Sequence, residues 1–91
     1  GTIVMNELLD ITSMNSEKGI TLYPNPSTDE IRIEQLVRPA TYVIYDMFGK
    51  IQQKGTAANN QPISLKSLLA GSYLMLIETD GKQLKKSFIK R

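Results

Sequence analysis

The sequence predicts an all-β fold, a seven-stranded antiparallel β-sandwich, with a small barrel as the alternative. Three observations lead there. Short runs with period-two alternation of apolar and polar residues recur along the chain. Turn residues punctuate them roughly every 8–12 positions. No segment sustains the 3.6-residue apolar period of a helix. At 91 residues the chain is one small domain, long enough for a single modest core.

Residues 1–18, GTIVMNELLDITSMNSEK, are expected to be a linker or leader upstream of the domain. The pattern from Ile3 to Ile11 suits a short strand or a helical turn equally well. It has no basic region followed by an apolar run, so it is not expected to be a signal peptide. The first strand falls in Gly19–Tyr23, where Ile20 and Leu22 alternate with Thr21 and Tyr23. Pro24 and Pro26 end it, since each fixes φ and removes a backbone donor. Asn25 suits a turn between them, and Ser27, Thr28 and Asp29 continue it.

Glu30–Leu36 reads as a half-buried strand, with Ile31, Ile33 and Leu36 inward and Arg32 and Glu34 outward. Thr41–Asp46 is apolar on both faces and suits a central strand. Residues 46–50, DMFGK, form the next turn, with Gly49 the expected left-handed position. Ile51–Thr56 returns as a weak strand, expected at an edge. Ile63 and Leu65 alternate like a strand, and Leu68 and Leu69 are expected to anchor a tight turn before Gly71.

The last twenty-one residues, GSYLMLIETDGKQLKKSFIKR, carry the strongest local signal. Asp80-Gly81 tolerates the positive φ angles of a two-residue type I′ turn, so two strands flank it as a hairpin. Tyr73, Met75 and Ile77 share one face of the first arm. In the second arm Leu84, Lys86, Phe88 and Lys90 share one face, and Lys85, Ser87, Ile89 and Arg91 the other.

The net charge of +2 hides an asymmetry. All nine acidic residues lie at or before Asp80, while five of the eleven basic ones fall in the last ten positions. Such a tail suits an acidic partner, an anionic surface, or an edge strand guarded against pairing by lysine. The charge sits in one tail rather than across a face interleaved with aromatics, which argues against specific nucleic-acid binding. Most aromatics fall at strand positions that suit packing rather than stacking on a ligand.

The chain contains no His and no Cys. It therefore lacks the commonest general base, the commonest metal ligands and any disulfide. Ser64 and Ser67 flank Lys66, but surface hydroxyls beside a solvated lysine outweigh a Ser–Lys dyad. Asp29-Glu30 read as solvated turn acids before they read as calcium ligands. No enzyme activity, metal or cofactor is expected. No apolar run approaches the roughly 20 residues of a membrane helix.

From Gly19 onward the ordered blocks GITLYPNPSTDEIRI, YVIYDMFGK, ISLKSLLAGSYLMLIETDGK and KKSFIK resemble the type A C-terminal sorting domain of the type IX (Por) secretion system. The resemblance implies a seven-stranded immunoglobulin-like sandwich. It also implies a place at the C-terminus of a cargo protein exported first to the periplasm. Type IX translocon components then carry the cargo to the cell surface or medium, and a sortase-like peptidase usually removes the domain.

Carried onto this chain, the proline motif is Tyr23, Pro24, Asn25 and Pro26. The glycine-tyrosine motif is Gly71 and Tyr73, and the terminal basic motif is Lys85, Lys86 and Lys90. Tyr23, Pro24, Asn25, Pro26, Gly49, Gly71 and Tyr73 are expected to act structurally, Gly71 by permitting close backbone approach. Lys85, Lys86, Lys90 and Arg91 are the expected partner contacts, exposed on an edge that could also support a dimer. The alternative is an immunoglobulin-like accessory domain that binds a carbohydrate or protein at the cell surface.

Overall fold

A computed structural model describes residues 19–91. The leader expected over residues 1–18 lies outside the described residues. Seven strands follow in order: β1 Thr21–Tyr23, β2 Glu30–Glu34, β3 Ala40–Tyr45, β4 Ile51–Ala57, β5 Ile63–Ser64, β6 Gly71–Thr79 and β7 Lys82–Lys90. They form two antiparallel sheets, one ordered β1-β2-β5 and the other β4-β3-β6-β7. The chain crosses between the sheets after β2, β4 and β5, as Greek-key sandwiches do. The sandwich is therefore the architecture adopted, and the barrel is not.

Outside β3, whose sequence is apolar on both faces, the inward residues are those the alternation selected; in β3 they are Ala40, Tyr42 and Ile44. Ile31, Ile33, Ile44, Leu65, Met75 and Ile77 are all fully shielded from solvent. Each such side chain contributes about 1.5–3 kcal/mol through burial. Tyr42, Tyr73, Leu84 and Phe88 complete the core from β3, β6 and β7. The Tyr73 and Phe88 rings stack with centroids 5.6 Å apart.

β3 is central and β4 is an edge, as the two-faced and weak patterns predict. β4 runs one residue longer than expected because Ala57, paired with Ala40, is buried. The β3–β4 register shifts at Ile44/Tyr45, beside the residue 46–50 loop. Gly49 there has φ 85°, the left-handed geometry that favours glycine. Asp80 and Gly81 have φ 54° and 74°, and Thr79 pairs with Lys82, so the expected two-residue turn closes the β6–β7 hairpin.

Two local expectations fail. Leu68 is buried but Leu69 is 83% exposed, so only the first anchors the turn. What holds that turn is the Leu69 carbonyl, which accepts a hydrogen bond from the Tyr73 hydroxyl four residues on. This is a tyrosine corner, a feature of immunoglobulin-like sandwiches. Gly71 makes no close backbone approach, because nothing lies nearer than 4.0 Å to where its Cβ would sit. The crowded glycine is Gly55 on β4, where a Cβ would sit 2.9 Å from the Tyr42 hydroxyl.

Candidate recognition site at the C-terminal strand

β7 is an outer strand of the four-stranded sheet, at the edge opposite β4. Its pairing with β6 decides which backbone groups remain for other partners. In a two-residue hairpin the residues flanking the turn exchange hydrogen bonds, and every second pair does so thereafter. Lys82, Leu84, Lys86, Phe88 and Lys90 thus spend their backbone groups on β6. Gln83, Lys85, Ser87 and Ile89 direct theirs away from the sheet.

The proline motif meets the second half of that free edge. After β1 the chain leaves the three-stranded sheet and runs to the rim of β7. The Tyr23–Pro24 and Asn25–Pro26 peptide bonds are both cis. The Asn25 side chain donates to the Ser87 carbonyl at 3.2 Å and accepts from the Ile89 N–H at 3.1 Å. The Ser27 N–H donates to the Ile89 carbonyl at 2.9 Å, and the Arg91 N–H donates to the Ser27 carbonyl at 2.8 Å. Ser27 forms a parallel bridge with Lys90, and its hydroxyl adds a bond to the Ile89 carbonyl at 3.3 Å. Two motifs more than sixty residues apart thus form one clasp.

Ser27 is the residue that sequence reasoning missed. It is 1% exposed, the buried polar side chain among the described residues. Its only local signal is its place right after the second proline, and nothing in residues 23–29 names a partner at the other end of the chain. Tyr23 of the proline motif joins the fold through its backbone. Its backbone pairs with Arg32, but its side chain is 59% exposed and anchors nothing in the core.

The basic residues divide by strand parity. Lys85 and Arg91 are exposed. Lys86 and Lys90 are half-buried, because they alternate with Leu84 and Phe88 on the face turned toward the core. The expectation that all four are exposed is therefore corrected for these two. At a sheet edge a lysine stem can cover apolar neighbours while its ammonium reaches water. The Lys90 ammonium donates to the Arg91 carbonyl at 3.2 Å. The site thus offers a hydrogen-bonding backbone flanked by positive charge, with the geometry of a docking edge.

The residue 46–50 turn is another ordered polar feature. Asp46 accepts from the Phe48 and Lys50 N–H groups at 2.9 and 3.0 Å, and from the Gln52 amide at 2.8 Å. These bonds, led by that from Lys50, hold its carboxyl below the ordinary aspartate value. Ser64 and Ser67 bond to the Lys66 N–H and the Gln53 side chain, at 3.4 and 3.3 Å. Glu30 pairs with Arg32 at 2.8 Å. Among the described residues, no helix is long and apolar enough to cross a membrane.

A family profile described as "Secretion system C-terminal sorting domain" matches residues 21–91, the whole of the sandwich. The chain belongs to this family. Comparison with curated proteins gives no match. Among solved structures, the sorting domain is similar to a part of PorZ, described as an essential bacterial surface component of the type IX secretion system of Porphyromonas gingivalis. The two superpose with a TM-score of 0.64 at 18% identity, over 88% of this chain and 12% of that one. At that identity the likeness establishes a shared fold. The sorting domain spans only about an eighth of the PorZ chain.

Proposed function

We propose that this sorting domain is the C-terminal secretion signal of a larger cargo protein. The cargo is exported to the periplasm, and the domain then directs it through the type IX outer-membrane translocon to the cell surface or medium. A sortase-like peptidase removes the domain afterwards. In this reading the domain is a recognised substrate and not an enzyme. The observation that carries it is the family match over all seven strands. The clasp supports it physically, since it builds the proline and terminal basic motifs into one surface that a receptor can read together.

The test is a reporter exported to the periplasm and fused upstream of residues 1–91 in a type IX-competent bacterium. Reporter should reach the surface or medium in that strain and stay in the periplasm of a strain lacking the translocon. Retention of a folded fusion in both strains would overturn the proposal in favour of an accessory domain that binds a carbohydrate or protein.

A further inference from the structure

The clasp covers only part of the β7 edge. It engages the Ser87 carbonyl, both backbone groups of Ile89 and the Arg91 N–H. By the same alternation, the N–H and C=O of Gln83 and Lys85 and the N–H of Ser87 also point outward. Among the described residues nothing bonds to them. An unpaired edge is a template for another strand, and natural sheets normally cover or blunt it. Here a concavity of about 370 Å³ lies along this stretch, lined by Leu76, Gln83, Leu84, Lys85 and Lys86. Leu76 and Lys85 border it on the outer face of the sheet, and Leu84 and Lys86 on the inward face.

The local charges select among occupants. Lys82, Lys85 and Lys86 fall within five residues. Glu78 lies across from Gln83 on β6, and Asp80 in the turn is paired with Arg38 at 3.1 Å. A second copy of the domain, edge to edge, would set lysines against lysines, which is unfavourable in paired strands. An acidic strand meets the opposite condition.

We infer that the open stretch Gln83–Ser87 of β7 is a docking edge for an extended peptide in which acidic and apolar residues alternate. The peptide adds as an outer strand next to the clasp. Its backbone pairs with Gln83, Lys85 and Ser87, its acids lie on the outer face with Lys85, and its apolar side chains lie on the inward face beside Leu84 and the Lys86 stem. This rests on the sorting reading, in which such a segment belongs to the protein that reads the signal. The clasp would keep β7 in register for that meeting.

The direct test is amide hydrogen exchange by NMR on the full chain, with a synthetic peptide of alternating Glu and Val as probe and one of alternating Lys and Val as control. The Glu-Val peptide should slow exchange at Gln83, Lys85 and Ser87 by about tenfold or more, and the Lys-Val peptide should not. Lys85→Pro should abolish the protection. Proline is tolerated at an unpaired edge position, so the variant should still fold. Lys85→Ala, which keeps the N–H, should weaken it only in part.

Three results would overturn the inference. They are protection of these amides in the free chain, dimerisation through this edge, and probe effects absent or confined to other residues. The reporter fusion separates the two proposals. A folded Lys85→Pro fusion secreted like the parent removes the docking edge and leaves the sorting reading intact. Failure of the parent fusion itself removes the sorting reading.

Discussion

Gly55 and Tyr73 are the residues whose individual contacts are sharpest. A methyl at position 55 would press on the Tyr42 ring, with carbons at 3.1 and 3.2 Å as well as the hydroxyl at 2.9 Å. Gly55→Ala is therefore expected to destabilise the domain by about 1–3 kcal/mol in urea denaturation. Adding Tyr42→Phe should recover part of that loss, because it removes the nearest atom. An additive double mutant would show that the strain lies elsewhere. Tyr73→Phe keeps the stack on Phe88 and deletes the bond to the Leu69 carbonyl. It should cost about 1–2 kcal/mol by the same assay. A glycine reads identically in a sequence whether it relieves crowding or serves a turn. That is why Gly71 attracts the expectation of close approach while Gly55 meets the tyrosine.

At the scale of elements, the strands were legible, and what meets their edges was not. Alternation identified the inward residues of β2 and β6 because a half-buried strand must sort its side chains by face, while β3, apolar on both faces, gave no such sorting. It also put Lys86 and Lys90 on one face with Leu84 and Phe88. That this face turns inward is settled only by the pairing of β7 with β6. The clasp makes a testable element of Pro24–Ser27. Asn25→Ala removes two bonds to β7 and should destabilise the domain by about 1–3 kcal/mol. Exchange at the Ile89 amide should quicken while that at Met75 follows only the global loss. Equal acceleration at both sites would mean that the clasp does not act locally. The residue 46–50 turn answers to pH. The Asp46 folded-state pKa lies below its unfolded value, so its contribution is present above the unfolded pKa and is lost as pH falls through the folded one. An NMR titration should place the Asp46 midpoint below the ordinary aspartate value, with the Lys50 amide shifting alongside it. A midpoint at or above that value would mean the turn bonds are absent in solution.

For the molecule as a whole, β7 joins stability to recognition. A chain ending at Glu78 loses Leu84 and Phe88 from the core and the partner of the clasp. It should fail to give a cooperative unfolding transition, and a reporter carrying it should not be secreted. A stable truncated domain would show that the three-stranded sheet with β3, β4 and β6 suffices for folding. The sequence alone determined the all-β class, the strand series, the two glycine turns at Gly49 and Gly81, and the family, because these rest on local backbone preference, side-chain alternation and ordered motifs. Only the tertiary structure decided that Ser27 is buried, that Asn25 grips the terminal strand, that two of the basic residues face inward, and that among the described residues nothing pairs with part of the β7 edge. Those facts depend on which strands become neighbours. Hydrogen bonds between residues more than sixty positions apart leave no periodic trace in the chain that forms them.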